Sequence, residues 1–329
     1  MTYENINGIE CLLELGKYNR NTLNNLIEDV FYKYKYQHHR VNFWIEKFVG
    51  TPFEFESNLP ILPNGVLRVR LSSFDCVTLI YTVIALANSA YFEEFVKNLY
   101  NLRYKDTLKG YINNCPDTGN ILDFIYESIL INGKEKGYIK DITSDIAGNS
   151  KLIEVKVLLE RFKRPPLHDN AETFVSPKIN PYAKDIFISK ETIDMIDIGL
   201  LQDGDIILMT KGPYNDKGEK IPVLITHLGI VKIENNQVYF YHATKHFSLK
   251  KDISENNYTG IYYDDEHKKE QIGVGIAGTF AGVEYNTYYN DILFFGFHQG
   301  IKRSLKDYLE INAIGVKFVR VTSPPIKCM

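Results

Sequence analysis

The chain lacks the features that mark several common classes of protein. Only four cysteines occur in 329 residues, Cys11, Cys76, Cys115 and Cys328, and they lie far apart with no CxxC pair. That spacing excludes a zinc ribbon and a disulfide framework, so four thiols are expected. No run approaches the roughly 20 apolar residues of a membrane span, and the N-terminus lacks the basic-then-apolar pattern of a signal peptide. Excess charge of either sign is also missing. Against 38 Lys and Arg stand 41 Asp and Glu, for a net charge of -3, which leaves no basic footprint for nucleic acid. Apolar residues, by contrast, are plentiful. At 44% hydrophobic content, the chain can build one large domain or two modest ones with a real core.

One stretch organises the rest: Ser72-Ser73-Phe74-Asp75-Cys76-Val77-Thr78-Leu79-Ile80. Ser73 and Asp75 are good N-cap residues, and the run through Val83, Ile84, Leu86 and Ala87 is apolar nearly all round, as a helix buried on every side should be. Cys76 is thereby predicted in a first helical turn. Unpaired N–H groups and the positive end of the helix dipole favour thiolate there, which makes the sulfur a usable nucleophile. Taken alone, a cysteine at a helix start is more often a small buried hydrophobe than a nucleophile.

A nucleophilic thiol needs a base. Downstream, Leu224-Ile225-Thr226-His227-Leu228-Gly229-Ile230-Val231 reads as a strand, as does Val238-Tyr239-Phe240-Tyr241-His242-Ala243-Thr244, and Glu234-Asn235-Asn236-Gln237 joins them as a turn. On such a hairpin His227 and His242 can lie side by side on one face. That is the geometry of a base and the group that fixes its tautomer. Either histidine alone is more often a satisfied strand residue; the combination with Cys76 carries the argument.

These residues resemble a known family. Phe74-Asp75-Cys76, Gly204-Asp205, Thr226-His227-Leu228-Gly229-Ile230 and Tyr241-His242-Ala243 resemble, in that order, the motifs of the NlpC-type cell-wall peptidases. Within that superfamily the resemblance is to the N-acetylmuramoyl-L-alanine amidase-like family, through Gly50-Thr51-Pro52-Phe53, Asp75-Cys76-Val77-Thr78, Leu102-Arg103-Tyr104, Gly110-Tyr111 and the closing Gly315-Val316-Lys317-Phe318-Val319-Arg320. It runs from about Phe43 to Arg320. It implies an α+β, papain-like fold in which the cysteine helix packs on an antiparallel sheet carrying the histidines. It also implies a cysteine hydrolase with Cys76, His227 and His242 as the catalytic group, and Asp75, Arg103, Tyr104 and Tyr241 as further candidates for substrate contact. Family members usually act outside the cytoplasm.

The remaining segments are read by period. Residues 1 to 49 read as helical, with Leu23, Leu26, Ile27, Val30, Phe31 and Tyr34 at helical spacing. This gives an N-terminal helical extension over 1–42 and a catalytic domain over 43–329. His38-His39 carries no third metal ligand nearby, so no metal is expected. Phe92 to Tyr100 reads as a second amphipathic helix, Lys105 to Ser150 as loop-rich, and Leu152 to Phe162 as a helix ended by Arg164-Pro165-Pro166. Further strands are expected at Asp205 to Met209 and Val316 to Val321. The stretch 251–300 departs from the family as an aromatic insertion. Its Gly273-Val274-Gly275-Ile276-Ala277-Gly278 matches GxGxxG, but without the strand before and helix after that a dinucleotide site requires.

The expected function is hydrolysis of a peptidoglycan amide, the N-acetylmuramic acid to L-alanine bond first. A γ-D-glutamyl endopeptidase of the stem peptide, or a thiol acyltransferase or thioesterase on the same fold, are the alternatives; the latter requires an apolar tunnel. A binding module without catalysis is the third class. The expected partner is peptidoglycan or a muropeptide, with no nucleic acid, no membrane span, no cofactor, and a monomeric chain.

Overall fold

The computed structural model describes residues 1–49, 51, 61–62, 66–103, 126–158, 182–212, 223–244 and 313–324, together with the strand backbones at 250–252, 257–259, 273–277, 288–289 and 292–293. Asn7 and Gly8 decide its first element. Both have positive φ, 52° and 85°, as a two-residue type I′ turn requires, and Asn-Gly is the preferred pair for it. They join β1 (Thr2–Ile6) to β2 (Ile9–Glu14) as an antiparallel hairpin. The helical expectation for 1–49 is corrected here: residues 2–14 are strand and turn. Helix begins with α1 (Arg20–Lys33), capped by Asn19 through a reciprocal bond with Thr22, and continues with α2 (Gln37–Phe48). The boundary at 42 falls inside α2.

β2 belongs to a four-stranded sheet, ordered β1-β2-β4-β3, with β3 at Ile61–Leu62 and β4 at Val66–Arg70. β2 and β4 run parallel, with Glu14 opposite Arg70. Glu14 is buried there and accepts from Arg68 Nε at 2.7 Å and Arg70 Nε at 2.6 Å. Next come α3 (Cys76–Ala87) and α4 (Phe92–Arg103). Every residue of α3 from Thr78 to Ala87 is buried, as its apolar composition demands. Removing each large side chain from water contributes about 1.5–3 kcal/mol.

A π-helical segment (Tyr126–Gly133) leads to β5 (Ile139–Asp141), β6 (Leu152–Leu158) and β7 (Tyr182–Ser189). β6 corrects the second helical expectation over its described residues. Ile153, Val155 and Val157 alternate with Glu154 and Lys156, a period of two in β-branched residues, and the segment pairs along its length with β7. The expected strands follow as β8 (Ile206–Lys211), β9 (Leu224–Glu234) and β10 (Gln237–Thr244). Short strands β11 (Lys250–Asp252), β12 (Asn257–Thr259), β13 (Gly273–Ala277), β14 (Tyr288–Tyr289) and β15 (Ile292–Leu293) precede β16 (Gly315–Val321).

The large sheet is antiparallel in the order β13-β10-β9-β8-β16-β7-β6, with β5 also on β16. Its two faces bury different residues. Ile206, Leu208, Leu228, Ile230, Tyr241 and Val319 share a core with α3 and α4. Ile207, Met209, Val231, Phe240, Val316 and Phe318 form a second core with Ile142, Ile146 and Ile193. The molecule is therefore a mixed α+β fold whose large sheet is antiparallel. The GxGxxG stretch is strand rather than a phosphate loop: Gly273–Ala277 adds an edge beside β10, with Gly275 opposite His242. The aromatic side chains of 251–300 lie outside the described residues.

Candidate active site

Cys76 opens α3 and is half-buried. Asp75 precedes it as N-cap, with φ -98° and ψ 178°. Its Oδ1 accepts from the Val77 N–H at 3.0 Å, the Thr78 N–H at 2.8 Å and the Thr78 hydroxyl at 3.0 Å. In return the Asp75 N–H donates to Thr78 Oγ1 at 2.9 Å. This capping box satisfies N–H groups that would otherwise be orphaned. The Asp75 carboxylate, a candidate for substrate contact from the sequence, thus serves the turn that holds the thiol.

The loop before Cys76 is fixed from several sides. Arg70 Nη1 donates to Ser73 Oγ at 3.3 Å, the Leu71 N–H donates to the Glu14 carbonyl at 2.8 Å, and buried Phe74 packs edge-on against Phe48, 4.8 Å between centroids. Glu14 and Arg70 were not legible as site supports, because their partnership joins strands 56 residues apart in sequence. The one available signal is Arg68-x-Arg70, two cations on the same side of a strand that call for a buried anion.

β9 and β10 meet through Asn235 and Asn236, both at positive φ (50° and 59°), and Gln237 pairs with Glu234. The register then runs to Tyr241 opposite Ile230, so its continuation sets His242 opposite Gly229 and puts His227 one diagonal step away on the same side. The two rings meet edge to face, 4.7 Å apart at 78°, and His227 Nε2 and His242 Nδ1 share a hydrogen bond. Burial lowers the His227 pKa to about 4, and burial with the neighbouring His227 pushes His242 well below the ordinary imidazole value. Both rings are neutral at neutral pH.

Gly229 explains part of the motif. A Cβ there would sit 2.4 Å from Phe240 Cδ2 and 2.9 Å from the Tyr241 carbonyl oxygen. Its absence lets Phe240 lie against the His242 ring, edge to face at 4.9 Å. Strand alternation turns His227, Gly229, Phe240 and His242 to one side of the hairpin, while Leu228, Ile230, Tyr241 and Ala243 enter the core shared with α3. The β8–β9 ladder is irregular between Met209 and Thr210, directly opposite His227. A bulge at that point re-aims the side chain it carries.

Tyr241 is buried on the α3 side, and Arg103 is buried at the end of α4. Tyr104 lies outside the described residues. His38 and His39 have ring centroids 4.0 Å apart, and among the described residues no group of three His, Cys, Asp or Glu is placed to hold a metal. Among the described residues, too, no helix is long and apolar enough to cross a membrane. Asp205, just before β8, is a buried carboxylate gripped by Arg320 through Nε and Nη2, each at 2.8 Å.

The family model AmiA-like, described as N-acetylmuramoyl-L-alanine amidase-like, matches residues 45–263. That span is more than half the chain and holds Cys76, His227 and His242. The chain belongs to the N-acetylmuramoyl-L-alanine amidase-like family. Solved structures share the fold at low identity. A Legionella pneumophila protein is similar over 92% of this chain and 96% of its own, at 16% identity and TM-score 0.56. An N-acetylmuramoyl-L-alanine amidase from Bacteroides uniformis is similar over 87% and 99%, at 17% identity and TM-score 0.53. A putative xylanase from Bacteroides fragilis is similar over 84% and 99%, at 19% identity and TM-score 0.52. No protein of curated function matches. The amidase-like match begins inside α2 and ends before β13, so the strand that borders β10 lies beyond it.

Proposed function

We propose that this amidase-like chain is a cysteine hydrolase of the papain-like, NlpC type that cleaves the amide between N-acetylmuramic acid and L-alanine in peptidoglycan. Residues 43–329 would form the catalytic domain, with 1–42 packed on it. The observation that carries the reading is the His227–His242 hydrogen bond, inside a family match that also holds Cys76. The two strands pack on α3 through Leu228, Ile230, Tyr241 and Ala243, so the reading requires the thiol to meet His227 at the N-terminal end of that helix. Because His242 engages Nε2, the ring nitrogen of His227 assigned to the thiol is Nδ1.

The proton flow follows from that assignment. With Nε2 carrying its hydrogen toward His242 Nδ1, His227 Nδ1 is the basic atom. It takes the proton of Cys76 Sγ as sulfur attacks the amide carbonyl, and the tetrahedral oxyanion is received by the Cys76 N–H at the helix start. His227 then gives that proton to the leaving L-alanine nitrogen as the C–N bond breaks. Water, deprotonated by the same ring, releases the muramoyl group from sulfur and restores the thiol. His242 holds the tautomer throughout.

The reading is tested on purified peptidoglycan by counting newly exposed α-amines. Wild type is expected to release them and Cys76→Ala to release none. Equal release by both would remove the cysteine from the mechanism.

A further inference from the structure

The segment between Asp29 and Glu46 contains no acidic residue, in a chain with 41 Asp and Glu. It carries instead an alternation, Tyr32-Lys33-Tyr34-Lys35-Tyr36, followed by His38-His39. The structure gathers these side chains at the junction of α1 and α2. Tyr36 is 56% exposed and His39 is also exposed. The ring of His39 lies 6.1 Å from Tyr36 and 6.2 Å from Tyr34, and Tyr34 lies 5.9 Å from Phe43. The Lys33 and Lys35 ammonium groups stand 5.2 Å and 5.7 Å from the Tyr34 and Tyr36 centroids.

Two helix ends meet at this stripe. Tyr36 is the N-cap of α2 and provides no side-chain cap, and the first turn has no acidic residue. The positive end of α2 therefore opens beside the negative end of α1, whose last turn carries Lys33, and it is Lys33 and Lys35 that make the stripe favour anions. The opposite end of α2 brings Phe48 against Phe74, two residues before Cys76. At 1.5 Å per residue the stripe stands roughly 16 Å from that contact, outside the site already described yet on the element that leads to it.

We infer that this stripe is a second binding surface for anionic glycan. Sugar rings would lie on Tyr36 and His39 while Lys33 and Lys35 meet the carboxylates of the attached stem peptides. In an enzyme acting on peptidoglycan, it would hold the strand next to the one being cut. The identity of that glycan rests on the amidase reading; the binding itself does not.

The experiment is co-sedimentation of the intact chain with insoluble peptidoglycan, alongside hydrolysis of a soluble disaccharide-tetrapeptide. The variants are Tyr36→Ala with His39→Ala, and Lys33→Gln with Lys35→Gln. Sedimentation is expected to fall at least tenfold in the aromatic pair and severalfold in the lysine pair, whose residual binding loses its salt dependence. Hydrolysis of the soluble substrate is expected to stay at the wild-type rate. Wild-type sedimentation by both variants overturns the inference even if hydrolysis proceeds. So does binding of a single-stranded oligonucleotide as tight as that of the wall. Loss of sedimentation in variants of a chain that hydrolyses nothing would leave the surface standing and remove the amidase reading.

Discussion

His227 Nε2 and His242 Nδ1 share a hydrogen bond across a two-residue hairpin. In the proposed mechanism, engaging Nε2 gives distinct tasks to two otherwise similar rings. His227→Ala should lower turnover about 10²–10⁴-fold, the usual contribution of a positioned general base. His242→Gln should leave a measurable remnant, since the amide can still hold the ring. Steady-state kinetics on a soluble muropeptide distinguish the two; full activity in His227→Ala would remove the base.

The buried imidazoles set a direction in pH. Their folded pKa values are depressed, His227 to about 4, against about 6.5 in an unfolded chain. As pH falls the unfolded state binds protons first, so stability is full above about 6.5 and is lost as pH falls through the folded values. Denaturant melts from pH 7 to 4 should show the midpoint falling, and His227→Gln with His242→Gln should flatten the part due to the pair. An acidic limb of kcat/KM well below 6.5 is expected from the same cause.

The described cysteines should differ in reactivity. Cys11 is fully buried, with its thiol pushed up to about 12 by burial and the nearby Glu10 and Glu4 charges. Cys76 is half-buried at a helix start. Iodoacetamide near neutral pH, followed by peptide mass mapping, should label Cys76 first by at least tenfold. Comparable labelling of both would contradict an activated nucleophile.

Glu14 should matter to stability and, through it, to the loop before Cys76. Its carboxylate sits between Arg68 and Arg70 with little exposure. Glu14→Ala would leave two cations without their anion, at a cost of about 3–5 kcal/mol. Glu14→Gln keeps the shape and should cost less. Chemical denaturation measures both; a shift under 1 kcal/mol in Glu14→Ala would show the triad to be energetically idle.

What the sequence made legible follows from locality. The Asp75 cap, the buried helix after Cys76 and the His227–His242 hairpin each depend on residues close in sequence, so period and capping chemistry suffice to find them. Two local signals are masked by stronger neighbours. Asn7-Gly8 encodes a hairpin, but the strong helical spacing from Leu23 onward masks it. Ile153-Glu154-Val155-Lys156-Val157 alternates as a strand, but the arginine-proline break after it suggested a helix end. Pairings that join distant segments left no local trace. Glu14 with Arg70, Asp205 with Arg320, and the glycine-rich strand beside His242 were therefore out of reach of pattern alone.

The central claim is tested most directly by the mass of the products from a purified disaccharide-tetrapeptide. The account predicts free tetrapeptide with an unblocked L-alanine amine, together with free disaccharide, and neither from Cys76→Ala. An L-Ala-γ-D-Glu dipeptide still bonded to the sugar would place the cut inside the stem peptide and contradict the amidase assignment.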